Sequence, residues 1–247
     1  MKAFCTLLKN ELKLNIRNMN MVIFAVILPL VVLVILGFLY GASPAADGVD
    51  YTFLEQSLGA LCAISVCAGG LMGLPLVVAE YRERKILKRF QVTPISPGML
   101  LAVEFLIYVL YALVSLIILL LLSRLAWGVQ LRGSWAGFVG SWLLTVFSTL
   151  SIGMMVGGIA RNAKSASVIA CVLYFPMLIF SGATLTFEVM PEVMQKIISV
   201  FPMTQGIQLM KTTFLGLTVE QAIFPVIVML CVTVICAGIA VKCFKWE

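Results

Sequence analysis

Histidine is absent from this sequence of 247 residues, and charged residues make up only 11% of it. Without histidine, catalysis by an imidazole and metal binding by an imidazole are both excluded. The sequence also lacks the phosphate-binding motif G-x-x-x-x-G-K-[ST], the nucleophile motif G-x-S-x-G and the zinc motif H-E-x-x-H. We therefore predict no catalytic, cofactor-binding or metal site in this chain.

Apolar residues make up 62% of the sequence, whereas soluble domains are about 45–50% apolar. A soluble domain of this size could not bury so much apolar surface, and the long continuous apolar runs exclude a barrel, whose strands alternate in polarity. A bilayer core of about 30 Å needs roughly 20 apolar residues per helix. We predict an all-α polytopic membrane protein with a single domain over residues 1–247. Its six spans are placed at 21–40, 57–79, 99–122, 135–160, 166–185 and 222–241.

The seven cysteines lie in apolar runs or near the ends of the sequence, and none lies in a predicted outer loop. This distribution argues against a disulfide framework, which needs cysteines in an oxidising compartment. Small apolar packing residues are the simplest interpretation of these cysteines.

The distribution of lysine and arginine predicts the orientation of the six spans. With the N-terminus inside, 13 of these residues lie in inner segments and 4 in outer segments. Because cytoplasmic loops carry an excess of basic residues, both ends of the sequence are predicted to be cytoplasmic.

Residues 1–20 form an amphipathic segment before the first span. Lys9, Lys13 and Arg17 recur every four residues on one stripe, and Leu8 and Leu12 belong to another. This pattern predicts a helix lying flat at the inner surface, with its basic side toward anionic headgroups. The alternative is a basic flank that only sets the orientation of the first span.

The segment 80–98 is the most charged part of the chain, with five basic and two acidic residues between two apolar runs. It contains no glycine or proline before Pro94, so its pattern predicts a surface helix. Pro94 and Pro97 then make a rigid corner, since proline disfavours helix at the residue before it. A stiff element of this kind suits the transmission of a push. The alternative is a basic loop that contacts lipid headgroups.

Glycines and prolines indicate a special role or an irregular backbone at two further places in the apolar runs. Gly69 and Gly73 thin one face of the second span, and Pro75 can bend it, so this helix is a candidate to line a moving cavity. The alternative is tight packing of the same glycines within one subunit. The fifth span is predicted to break near Ser181 and Gly182, before a re-entrant outer region at 186–216 with a short amphipathic helix starting at Pro191.

Glu104 is the only carboxylate within an apolar run, five residues into the third span. A carrier driven by protons or ions usually keeps several ionisable residues near the middle of the membrane. Glu104 is more simply interpreted as an interfacial residue paired with a base of the charged segment. The chain thus has the body of a transporter without a visible energy source.

The charged segment resembles a known family. The stretch "ERKILKRFQVTPISP" is similar to the cytoplasmic segment of ABC-2 type export permeases, and "YFPMLIFSGATLTFEVMPEVMQKIISVFPMTQGIQLMK" is similar to the closing signature of that family. The matching residues of the first stretch are Glu83, Arg84, Arg89, Val92, Thr93, Pro94, Ile95 and Ser96. The chain departs from the pattern at Lys85 and Ile86, where the family has Gly-Thr, and at Lys88, where it has an acid.

The resemblance implies a membrane subunit of an ABC exporter in the plasma membrane of a prokaryote. Such subunits work as two six-span protomers, identical or related, with separate cytoplasmic ATPase subunits that bind the ATP, and they bind no nucleic acid. The N-terminal helix and the charged segment would contact the ATPase. The residues implied in this contact are Glu83, Arg84, Lys88, Arg89, Thr93 and Pro94. The residues expected along the substrate pathway are Gly69, Gly73, Pro75, Ser181 and Gly182.

Two other classes of function compete with this interpretation. A membrane sensor or assembly protein could use the same six-span frame. A membrane enzyme, such as a lipid-modifying one, needs a cluster of polar catalytic residues at one membrane face, and the sequence offers none. The few charges in the apolar interior favour an amphiphilic drug, peptide or lipid as cargo.

Overall fold

The computed structural model describes residues 2–17, 19–41, 43–45, 49–86, 96–180, 198, 200–217 and 223–243. The helices of this part are α1 (Lys2–Arg17), α2 (19–40), α3 (Phe53–Glu83), α4 (Pro97–Trp127), α5 (Trp135–Ile159), α6 (Ala163–Phe180), α7 (Pro202–Leu215) and α8 (Ile223–Cys243). Five of them, α2 to α5 and α8, are long and apolar enough to cross a bilayer, and α6 is a shorter apolar helix. The predicted all-α polytopic membrane fold is confirmed.

Capping residues place the ends of several helices. Thr52 and Glu55 form a reciprocal capping box at the start of α3, and the Ser96 side chain accepts a hydrogen bond from the Met99 backbone N–H at the start of α4. At the other end of α4, Gly128 takes a left-handed conformation with φ of 68°, which costs glycine nothing. These local signals place the two ends of α4, and the absence of glycine and proline between Met99 and Trp127 lets the helix run uninterrupted between them.

The sequence Leu-Pro-Leu-Val-Val occurs twice, in α2 and in α3, and each copy follows a π-helical turn. The π turns cover Ile23–Ile27 and Ala68–Gly73. Proline has no N–H and its ring crowds the carbonyl four residues earlier, so a widened turn before it relieves the clash. Accordingly, the N–H groups of Leu28 and Leu74 reach back five residues, to the carbonyls of Ile23 and Gly69.

Glycines bring α3 and α5 into close contact at the centre of the bundle. A Cβ atom added to Gly153 of α5 would collide with the backbone carbonyl of Gly70 in α3. A Cβ atom on Gly157 would lie 2.8 Å from the Cβ of Val78. The G-x-x-x-G spacing of α5 therefore lets the two backbones approach more closely than any side chain would allow.

The helix α7 lies within the part of the chain that was predicted to be re-entrant. Gly206 of α7 packs on Thr145, the eleventh residue of α5. The end of α7 lies near the start of α5, because the backbone N–H groups of Arg132 and Gly133 donate to the Phe214 carbonyl at 3.1 and 3.0 Å. A helix of 14 residues is about 21 Å long. It thus runs from inside the bundle to one end of it. Most of the predicted helix starting at Pro191, and the break at 181–182, lie outside the described residues.

The bundle has two distinct ends. The α1 end brings together α1, the end of α3, the start of α4 and the loop between α5 and α6, through contacts of Tyr81 and Arg82. The opposite end, called the loop end below, holds the start of α3, the loop 128–134 and the end of α7. In the predicted orientation the α1 end is cytoplasmic.

Candidate functional site

The charged segment begins as the last turn of α3, which ends at Glu83. Arg84 and Lys85 form a turn, and Lys85 has a positive φ of 53°. A continuous helix from Glu80 to Thr93 is therefore wrong. Local propensity favoured the helix, but the contacts of Arg82 and Glu83 with the loop between α5 and α6 hold the turn that precedes this point.

The first of these contacts join α3 to the loop between α5 and α6. The Arg82 guanidinium donates to the carbonyls of Gly158 and Ala160, at 3.0 and 3.2 Å, and the Glu83 carboxylate accepts from the Ala163 backbone N–H at 2.9 Å. A cation thus lies at the end of α5 and an anion at the start of α6. Each side chain has the charge opposite to the partial charge of the helix end that it contacts, because the end of a helix is partially negative and its start is partially positive.

On the exposed side of the same turn, Arg84 pairs with Glu80 at 2.7 Å. These two residues and Tyr81 line a cleft of about 280 Å³ whose other wall is α1, with Leu14 and Asn15. The cleft therefore combines an ion pair, an amide and apolar surface at the α1 end. The described residues leave this cleft open.

A phenol connects three helices beneath this cleft. The Tyr81 hydroxyl lies 2.7 Å from Glu11 Oε2 of α1 and 3.0 Å from Glu104 Oε1 of α4. Asn15 Nδ2 donates to Glu104 Oε2 at 3.3 Å and to the Glu11 backbone carbonyl at 3.2 Å. Glu11, Asn15 and Glu104 are all buried. A buried carboxylate needs partners of this kind, because an unpaired one is costly.

The Tyr81 hydroxyl carries one proton for two carboxylates. It can donate to only one of them at a time. Arg82 and Arg84 bond elsewhere, to carbonyls and to Glu80. The phenol and the Asn15 amide thus add polar contacts to the apolar packing of Leu7, Leu8 and Leu12 that holds α1. We call the set Glu11, Asn15, Tyr81, Arg82, Glu83 and Glu104 the α1-end hub.

The residues implied in ATPase contact divide into two groups. Glu83 belongs to the hub and Arg84 is exposed beside it. Lys88, Arg89, Thr93 and Pro94 lie outside the described residues, and their role stays a prediction. Glu104, interpreted from sequence as the partner of a base, has a phenol and an amide as its described partners.

The residues expected along the substrate pathway are packed where they are described. A Cβ atom on Gly73 would meet the ring of Tyr108 and the Met21 sulfur, and one on Gly69 would lie 3.4 Å from the Tyr108 ring. Pro75 is buried at the start of the regular helix after the π turn. A pathway role for these three stays a prediction, as it does for Ser181 and Gly182, which lie outside the described residues.

Sequence reasoning assigned no role to Glu11 or Asn15, and it included Tyr81 and Arg82 only as parts of the charged segment, without individual contacts. A signal was present in α1, because Leu7, Glu11 and Asn15 recur every four residues and form its buried face. A carboxylate and an amide on a buried face indicate a polar contact with another helix. Which helix supplies that contact could not be read from the spacing.

No group of metal-binding residues occurs in the part of the chain that the structure describes.

Replacing Tyr81 with phenylalanine is expected to loosen α1. The change removes the hydroxyl between Glu11 and Glu104, and a hydrogen bond to a charged group contributes about 1.5–3 kcal/mol. Amide hydrogen exchange in α1 should become about tenfold faster or more. Tyr111→Phe is the matched control, because the buried Tyr111 hydroxyl has no hydrogen-bond partner among the described residues. Equal exchange in the two variants would contradict the role of the phenol.

The sequence of this chain is similar to those of known proteins. A family model described as ABC-2 type transporter matches residues 2–215. The chain is 29% identical over 147 residues to the inner membrane transport permease YhhJ of Escherichia coli K12, covering 59% of this chain and 39% of that protein. It is 27% identical over 161 residues to the probable multidrug ABC transporter permease YbhS of the same strain, covering 64% and 42%. The chain thus spans about two fifths of the length of these relatives.

Proposed function

The chain belongs to the ABC-2 type transporter family, and we propose that it is the permease subunit of an ATP-driven exporter whose ATPase subunits are separate chains. It is a multi-pass membrane protein, and the name of one relative, an inner membrane transport permease, supports a place in the inner membrane of a bacterium. In this proposal the α1 end faces the cytoplasm, as the distribution of basic residues predicts.

The observation that carries the proposal is the α1-end hub. Through Tyr81 and Arg82, the last turn of α3 is bonded to α1, to α4 and to the end of α5, and through Glu83 it is bonded to the start of α6. A force applied to this turn by an ATPase would reach four other helices through direct hydrogen bonds. The exposed Arg84 and the adjacent cleft offer a place for that contact.

We further propose that a second permease, identical or related, completes the substrate pathway. The cargo is an amphiphilic compound such as a drug, a peptide or a lipid. One relative is named as a multidrug permease, and the described interior offers apolar surface with few charges. A six-span sensor or assembly protein would have the same frame but would not move such a compound.

Purified without other subunits, the chain is expected to hydrolyse no ATP, because it has no phosphate-binding loop. Purified from its native membrane with its partners, it should bring along an ATPase with such a loop, and the complex should hydrolyse ATP and export an amphiphilic dye from vesicles. ATP hydrolysis by the chain alone would reject the proposal, as would a native complex that contains no ATPase.

Arg84→Ala tests the contact within that complex. Surface ion pairs contribute little to folding, so the variant should fold normally. Loss of about 1.4 kcal/mol of binding to the ATPase would lower its affinity about tenfold. Lys242→Ala is the matched control, since Lys242 is an exposed base in the last turn of α8. Equal ATPase affinity in both variants would exclude Arg84 from the contact.

A further inference from the structure

A pocket of about 350 Å³ lies at the loop end, away from the hub. The last turns of α4, the loop 128–134 and the start of α5 surround it, and the buried Phe214 of α7 also lines it. Its rim carries Arg124, Gln130 and Trp135. The volume is in the range of small-molecule sites, which are commonly about 300–1,000 Å³.

Two arginines at this end differ in their partners. Arg132 forms an ion pair with Glu55 at 3.2 Å and also donates to the Asp50 carbonyl. Arg124, which lines the pocket, is exposed and has no side-chain partner among the described residues. The positive charge of Arg124 is therefore free to bind an anion.

No acidic side chain lines the pocket among the described residues. Glu55 lies beside the loop of the pocket, where it accepts from the Gln130 backbone N–H at 3.3 Å and pairs with Arg132. A positively charged ligand group would thus find no counter-ion among the described residues of the pocket. The site should prefer a net anion over a zwitterion.

The pocket lies at the height of the lipid headgroups. The helix α4 has 31 residues and is about 46 Å long, so it extends beyond a hydrocarbon core of about 30 Å. Tryptophans are enriched at membrane interfaces, and Trp127 and Trp135 flank the loop that forms the pocket. Leu121 lines the pocket and is exposed on the outer face of α4, where acyl chains run.

We propose that this pocket binds the headgroup of an anionic phospholipid. The phosphate contacts the Arg124 guanidinium and the Gln130 amide, and the first part of an acyl chain lies along Leu120 and Leu121. The site does not depend on transport or on an ATPase. In the predicted orientation the lipid belongs to the outer leaflet.

Native mass spectrometry of the purified chain tests this proposal with three probes. The probes are phosphatidylglycerol, phosphatidylcholine with the same acyl chains, and sn-glycerol 3-phosphate. We expect phosphatidylglycerol to bind more tightly than phosphatidylcholine. Arg124→Gln should weaken phosphatidylglycerol about tenfold, the order expected for one charge-assisted hydrogen bond, and should leave phosphatidylcholine unchanged. Arg124→Lys should retain part of the preference.

Arg161→Gln is the matched control, because Arg161 is an exposed base at the α1 end. This variant should bind phosphatidylglycerol as tightly as the unmodified chain does. If Arg124→Gln does not fold, Gln130→Ala is the second variant, because it keeps the backbone N–H that donates to Glu55. It should weaken phosphatidylglycerol about threefold, as expected for a single weaker hydrogen bond. Equal binding of the two lipids, or equal loss in Arg124→Gln and Arg161→Gln, would overturn the proposal. Displacement of phosphatidylglycerol by glycerol phosphate at similar concentration would also overturn it, in favour of a site for free anions.

Discussion

Replacing Gly153 with alanine is expected to destabilise the bundle by about 3 kcal/mol, the upper end of the cost of overpacking. The new methyl group would collide with the backbone carbonyl of Gly70, and a backbone atom in a central helix cannot move aside as a flexible side chain can. The helices α3 and α5 would have to separate. The midpoint of thermal unfolding in detergent should fall by several degrees, or the protein should fail to accumulate.

Gly140→Ala is the control for this change, because Gly140 lies in the same helix and a Cβ atom there meets nothing within 4 Å. Alanine also favours the helix over glycine by about 0.5–1 kcal/mol. The control should therefore be as stable as the unmodified chain or slightly more stable. If both alanine variants unfold at the same temperature, the close approach of α3 and α5 is wrong.

Replacing Glu55 with alanine should also destabilise the fold, by removing contacts at the loop end. The Glu55 side chain is only 5% exposed and pairs with Arg132. It also accepts from the backbone N–H groups of Thr52 and Gln130, at 3.0 and 3.3 Å. Breaking a buried pair by removing one partner costs about 3–5 kcal/mol. Because Arg132 is 40% exposed and keeps access to water, we expect about 3 kcal/mol, measured by thermal unfolding.

Asp50→Ala is the matched control, since Asp50 is an exposed acid of the same end and only its backbone carbonyl contacts Arg132. It should change stability by less than about 0.5 kcal/mol. A double variant of Glu55→Ala and Arg132→Met should lose less stability than the two single variants together, because each single change already removes the pair. Strict additivity would mean that the ion pair contributes nothing.

These two predictions and the hub concern the same helix. Glu55 anchors α3 at the loop end, Gly70 packs it on α5 at the centre, and Tyr81 and Arg82 bond it at the α1 end. The π turn Ala68–Gly73 lies between the two anchored ends. Both ends of α3 are thus held by polar contacts, whereas its middle is held by the close fit of backbones.

The sequence by itself determined the fold class. Continuous apolar runs predict membrane helices because backbone groups in lipid must be satisfied within the segment. The capping threonine at position 52 and the glycines at 128 and 216 place helix ends by local hydrogen bonding and local backbone freedom. The G-x-x-x-G spacing of Gly153 and Gly157 is typical of a close contact between helices. All of these features depend on residues within a few positions of one another.

Only the tertiary structure decided which distant residues contact one another. Tyr81 meets Glu11, 70 residues away, and Arg82 meets Gly158, 76 residues away, and no local pattern identifies such pairs. The helix α7 also escaped sequence reasoning, because buried polar residues such as Thr204 and Thr212 lower its apolar signal. Burial between α3 and α5 stabilises it instead. Spacing along one helix indicates which side chains share a face, but the packing of the whole chain decides what that face contacts.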